Sequence, residues 1–261
     1  MKRTILMLAL AAFFCLKADR PYPGHREETK FKIYLIGAST CANKKEAARP
    51  ETGWGEKFQP FFKDNVTVDN RALNGRSTKS FRNEGHWDKV MKELKAGDWV
   101  LIQFGHNDQK LDKPAVGTTI AEYKENLSRY IDEVRSKGAT PVVLTSIVRR
   151  AFKNGELTNT HGDYPDAVIE VANTMKCEYI DMEKKSHALV AAYGVEKSKE
   201  LYFWAKKQDF PHLANDKKDN THFSNYGAQK MAELVAEGIV ELKNKVLAQN
   251  LKAYKKLNQK I

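Results

Sequence analysis

Four short stretches of this chain hold the residue types that acyl transfer needs. They are Gly37-Ala-Ser39, Asn74-Gly75, Gly105-His-Asn-Asp108 and Asp219-Asn-Thr-His222. Ser39 offers a hydroxyl nucleophile, which is weak at its own pKa and needs a base beside it. His222 can be that base, because an imidazole titrates near neutral pH. Asp219, one helical turn's worth of sequence earlier, can accept the second ring N–H and fix the tautomer. A tetrahedral intermediate also needs fixed donors for its oxyanion. The candidates are the backbone N–H groups of Ser39 and Gly75 and the side-chain amide of Asn107.

Taken singly, each stretch has a plain structural reading. Ser39 can cap the segment after it, Asn-Gly is an ordinary turn, and Asp-Asn-Thr-His can lead into a helix capped by Ser224. What joins them is position. Phe31–Ile36 is an apolar, β-branched and aromatic run that stops at Gly37, so it reads as a buried strand delivering Ser39 at its carboxyl end. Further strands are expected at 66–70, 98–104, 141–147 and 178–181. Helices are expected at 56–62, 87–94, 120–134, 165–175 and 183–193, and from Ser224 almost to the end. Residues 149–164 and 197–221 read as loops. Strands alternating with helices predict an α/β fold, a three-layer α/β/α flavodoxin-like sandwich. Its five-stranded parallel sheet has the order 2-1-3-4-5, and ligands of such sheets bind beyond the carboxyl ends of the strands.

The ends of the chain read differently from the middle. Lys2 and Arg3, the apolar run Ile5–Leu16 and Lys17-Ala18 have the shape of a secretory signal peptide over 1–18, which implies a secreted or periplasmic protein. The run is short for a membrane span, so no transmembrane anchor is expected. A polar lead-in follows over 19–30, then one domain over 31–246, long enough to bury its own core. Residues 247–261 form a Lys-rich C-terminal helical extension. The formal charge is +11, or +8 once Lys2, Arg3 and Lys17 leave with the leader. That excess suits an anionic partner such as a uronic-acid polysaccharide, and equally a solubility role. Two cysteines, Cys41 and Cys177, remain in the mature part, too few for a disulfide-built scaffold.

The four stretches, in this order, resemble the signature blocks of the SGNH (GDSL) hydrolase superfamily. Gly53-Trp-Gly55 and His161-Gly-Asp-Tyr-Pro165 are similar to its rhamnogalacturonan acetylesterase group, and the resemblance covers about residues 31 to 240. It implies the SGNH hydrolase fold and a triad of Ser39, Asp219 and His222. It also implies an oxyanion hole of Ser39, Gly75 and Asn107, with no metal and no cofactor. The implied reaction is hydrolysis of O-acetyl esters on a plant cell-wall polysaccharide. The chain departs from the family at Ala38, where an Asp is usual.

Other signals are negative. The chain has no Gly-x-Ser-x-Gly elbow, no phosphate-binding Gly loop and no His-Glu-x-x-His. His106 reads as a structural or substrate-edge residue, and Trp204, in the aromatic loop before Asp219, as a sugar platform or packing. Cys41, two residues from Ser39, reads as a small packing residue. The expected partner is an acetylated polysaccharide or oligosaccharide met by a monomer, with no nucleic acid. Open alternatives are a lipase, arylesterase or thioesterase of the same superfamily, and a non-catalytic carbohydrate-binding protein.

Overall fold

The computed structural model describes residues 29–252. The expected signal peptide (1–18), residues 19–28 of the lead-in and residues 253–261 lie outside the described residues. The apolar run becomes strand β1 (Phe31–Gly37), which pairs in parallel with β2 (Val66–Asn70). A short helix α1 (Thr78–Asn83) and helix α2 (His86–Glu93) lead to β3 (Trp99–Gln103), the other parallel neighbour of β1. Helix α3 (Ile120–Ser136) crosses to β4 (Thr140–Leu144). A hairpin of β5 (Phe152–Lys153) and β6 (Glu156–Leu157), helix α4 (Tyr164–Thr174) and strand β7 (Glu178–Ile180) follow. The main sheet runs β2-β1-β3-β4-β7, the expected five-stranded parallel order.

The period-two pattern of the strands sorts the core into two layers. Ile33, Leu35, Leu101, Val142 and Leu144 face one way, onto helix α5 (Met182–Lys197) and helix α6 (Asn225–Glu241) through Met182, Val190, Met231, Val235 and Ile239. Tyr34, Ile36, Val100, Ile102 and Val143 face the other way, onto Trp87, Leu127, Ile131 and Val168 of α2, α3 and α4. Helix starts follow their caps. Thr119 and Glu122 form a reciprocal box at α3, and Ser224 accepts from Gly227 N at 2.9 Å to start α6.

Several local expectations change. The helix expected at 56–62 is two 3-10 turns, Trp54–Lys57 and Gln59–Phe61, because Trp54 turns inward and donates Nε1 to Gln103 Oε1 at 2.7 Å. Helix α1, unseen in the sequence, is capped by Ser77, whose Oγ accepts from Ser80 N at 3.1 Å. The loop expected over 197–221 holds an antiparallel ribbon of β8 (Tyr202–Ala205) and β9 (Lys217–Phe223). The final helix is not continuous. It stops at Glu241, and a turn of helix α7 (Val246–Gln249) follows, burying Leu247, Ala248 and Leu251, with Leu251 bridged to Phe62. Of the expected C-terminal extension only 247–252 lie among the described residues; there Leu247, Ala248 and Leu251 pack inward while Gln249 and Lys252 are exposed. Cys41 and Cys177 are both buried free thiols. Among the described residues no helix is long and apolar enough to cross a membrane.

Candidate active site

β1 and β3 end level, with Gly37 opposite Gln103, so the segments that follow them leave the same sheet edge. Gly37 permits this approach: a Cβ there would lie 2.4 Å from Gln103 O. Beyond it Ala38 O accepts from Cys41 N and Ala42 N, both at 3.2 Å, closing a tight turn around Ser39. Cys41 is fully buried and burial pushes its thiol up to about 12, so no thiolate competes with the Ser39 hydroxyl. Ala38 is itself buried, and no carboxylate stands in its place.

Ser39 Oγ lies 2.8 Å from His222 Nε2, and His222 Nδ1 lies 2.7 Å from Asp219 Oδ2. The ribbon's register explains why these side chains reach the sheet edge. Tyr202 pairs with Phe223 and Trp204 with Lys218, so the stretch Asp219–His222 bulges opposite the single residue Phe203. A bulge re-aims side chains that a regular strand would send to alternate faces. Asp219 Oδ1 accepts from Thr221 N at 2.7 Å and His222 N at 2.9 Å, which locks the bulge. Burial works to raise the Asp219 pKa. The hydrogen bonds from the His222 ring and from the two backbone N–H groups outweigh it and hold the carboxyl at about 2. The row can therefore take a proton from the hydroxyl and stabilise the imidazolium that forms.

Asn107 and Gly75 are drawn to the same place by a hydrogen-bond frame. Asp108, fully buried, accepts from Gly105 N (2.9 Å), Thr78 N (2.9 Å) and Thr78 Oγ1 (2.5 Å), stapling the turn after β3 to the first residue of α1. Burial pushes its carboxyl up to about 6 despite these bonds. Asn107 Nδ2 donates to Arg76 O at 3.0 Å, and Lys110 Nζ donates to Asn107 Oδ1 at 2.7 Å, so the amide is fixed from both ends. Gly75 sits beside Arg76 at φ +77°, exposed, in a conformation that a residue with Cβ rarely adopts.

A lysine that the sequence did not single out joins the two sides. The Lys44 side chain is 1% exposed. Its ammonium donates to Ser39 O at 2.6 Å and Asn74 Oδ1 at 3.0 Å, and pairs with Glu51 Oε1 at 2.7 Å. Three donors meet three acceptors, and the Ser39 turn is tied to the Asn74-Gly75 turn. Nothing in the polar loop 40–52 distinguished Lys44 from Lys45, because the signal is burial, which only the tertiary structure creates.

His106 and Trp204, each read from the sequence as either a substrate contact or a structural residue, both have protein partners around their rings. His106 is 4% exposed and packs edge-on against His161, ring centroids 4.5 Å apart. Burial first, then the charges of its neighbours, pushes its pKa well down, so it stays a neutral wall behind the row. Trp204 has Arg150 and Lys199 over its ring at 5.1 and 4.9 Å. Its Nε1 donates to Asn220 Oδ1 at 3.0 Å, and Arg150 N donates to Asn220 O at 2.8 Å, so both residues brace the bulge from outside.

The sequence profile of the GDSL-like lipase/acylhydrolase family matches residues 35–230. The chain is 41% identical over 212 residues to rhamnogalacturonan acetylesterase RhgT of Bacillus subtilis strain 168, covering 81% of this chain and 90% of that protein. It is 35% identical over 211 residues to the probable rhamnogalacturonan acetylesterase YesY of the same strain, covering 80% and 93%. Among solved structures it is similar to the Bacillus subtilis protein YxiM, with a TM-score of 0.70 and 26% identity. That match covers 82% of this chain and just over half, 57%, of the other.

Proposed function

The chain belongs to the GDSL-like lipase/acylhydrolase family, within its rhamnogalacturonan acetylesterase-like group, and from that footing we propose how it works and on what. It is a serine esterase that removes O-acetyl groups from a pectic, rhamnogalacturonan-type polysaccharide. Ser39 Oγ gives its proton to His222 Nε2 and attacks the acetyl carbonyl carbon, while Asp219 holds the ring tautomer. The carbonyl oxygen takes the negative charge and is met by the N–H groups of Ser39 and Gly75 and by Asn107 Nδ2. Collapse of the intermediate releases the sugar hydroxyl, which takes the proton from His222. A water then repeats the sequence on the acetyl-serine and releases acetate.

The observation that carries this reading is the unbroken row Ser39 Oγ–His222–Asp219, with links of 2.8 and 2.7 Å. The basic, then apolar, N-terminal stretch supports delivery outside the cytoplasm, as a secreted or periplasmic enzyme. The test is labelling with a serine-directed organophosphate, together with acetate release from acetylated rhamnogalacturonan. Label on Ser39 alone, with activity abolished, is the expected result. Label elsewhere, or full activity in Ser39→Ala, overturns it.

A further inference from the structure

The cations around the site differ in how they are neutralised. Arg71 pairs with Asp69 and Glu93, Arg76 with Glu84, and Lys44 with Glu51. Lys110, Lys113 and Arg149 have no carboxylate within ion-pair distance among the described residues. Lys110 is half-buried and spends one N–H on Asn107 Oδ1. Arg149 is half-buried and directs its guanidinium at the carbonyls of Thr160 (3.0 Å) and His106 (3.3 Å). The three are close enough to interact: burial, then Lys113 and Arg149, lowers the Lys110 pKa, with Asp112 the one opposing charge. The same neighbourhood includes the catalytic side, since the His106 ring is held neutral by burial and by His161, Arg149, His222 and Lys110 together. Lys110 and Arg149 are half-buried and Lys113 is exposed; like charges so placed disfavour one another, and an anion among them relieves that cost.

We infer that Lys110, backed by Arg149 and Lys113, is a carboxylate subsite that takes a uronate group of the polysaccharide while its acetyl ester lies on Ser39. The inference rests on the esterase reading above. Lys110 Nζ is one hydrogen bond and one amide's width from Asn107 Nδ2, the donor proposed above for the oxyanion. The uronate it holds is therefore on the acetylated sugar or its immediate neighbour, not on a distant unit. Two N–H groups of the ammonium remain for it. The subsite makes the enzyme prefer acidic to neutralised substrate through KM.

The test compares one acetylated uronate-containing oligosaccharide with the same material after methyl esterification of its carboxyls, following acetate release. Wild type is expected to favour the free acid by roughly tenfold or more in kcat/KM, the scale of one hydrogen bond to a charged group. Lys110→Met loses rate on both substrates, because Asn107 loses its anchor, but the ratio between them falls to near one. Lys113→Met narrows the ratio without abolishing it. Equal kcat/KM on the two substrates in wild type overturns the subsite, as does a ratio preserved in Lys110→Met. In either case Ser39-dependent acetate release leaves the esterase reading standing. Absence of acetate release from both substrates, with Ser39 unlabelled, removes the esterase reading and the subsite with it.

Discussion

Lys44→Met removes one buried ammonium and keeps most of its stem. Three acceptors lose their partner: Ser39 O, Asn74 Oδ1 and Glu51 Oε1. Removing one member of a buried ion pair typically costs about 3–5 kcal/mol, because the other charge is left without compensation. Glu51 is 15% exposed, so some water reaches it and the lower end, about 3 kcal/mol, is the expectation. For a domain of this size that is a fall in Tm of roughly 6–12 °C. The effect on catalysis is separate. With the tie between the Ser39 and Asn74 turns gone, the hydroxyl and the Gly75 N–H no longer hold one spacing, and misplaced donors cost kcat rather than KM. Thermal melts beside p-nitrophenyl acetate kinetics read both, and Glu51→Gln in the Lys44→Met background should restore part of the stability but not kcat. A Tm within about 2 °C of wild type, a change of under 1 kcal/mol on the same scale, refutes the buried-pair reasoning. An unchanged kcat refutes the positioning role.

Asn107→Ala should lower kcat by about two to three orders of magnitude, or 2.7–4 kcal/mol, with KM nearly unchanged. Normal kcat with a depressed melting temperature would make Asn107 structural instead. Asp219→Asn should cost about four orders of magnitude in kcat by leaving His222 in the wrong tautomer. Because the Asp219 carboxyl is held at about 2, below the unfolded value of about 3.9, its stabilising effect is complete above about pH 4 and is lost as the pH falls toward 2. Acid unfolding of Asp219→Asn should therefore show a flatter loss of stability across that window, and an identical acid limb would count against the pairing. Cys41→Ala should keep most of the activity, and maleimide should label Cys41 only in unfolded protein, whereas a loss on the scale of Ser39→Ala would reverse the nucleophile assignment.

How much of this was legible in the sequence depended on how local the cause is. The strands follow from apolar runs bounded by Gly37, Gly97 and Gly138, and β1 and β3 form where those runs lie; their order is what the doubly wound pattern and the family resemblance implied. Ser39, Asn107, Asp219 and His222 stand out because polar, chemically able residues directly follow or precede such runs. The ribbon was hidden because Lys217–His222 is polar throughout and carries no period-two pattern; it is a strand only because Tyr202–Ala205 lies across from it. The inward turn of Trp54 was hidden in the same way, since its partner Gln103 is 49 residues away. Asp108 reads as a turn residue until Thr78 is brought to it. The Lys-rich look of the last residues masked Leu247 and Leu251, whose burial needs Phe62 as a counterpart.

The bulged ribbon separates the two halves of the chemistry mechanically. Ser39 hangs from β1, the second strand of a five-stranded sheet covered on both faces. Asp219 and His222 hang from a two-stranded element outside that sheet, held by Phe223, the Thr52 N–Phe223 O bond and the Arg150 contacts to Asn220. Opening the ribbon leaves the five-stranded sheet paired, so its local free energy of opening is smaller than that of global unfolding. Inactivation and denaturation are then two events. On warming, turnover should fade before the cooperative melt and return fully on cooling. In hydrogen exchange, the amides of residues 203–222 should lose protection well ahead of those of 33–37 and 99–103. Heat tolerance of the activity is thus set where the ribbon attaches, at Phe223 and at the Arg150 contacts to Asn220, and substitutions that tighten that attachment should raise the working temperature without moving Tm.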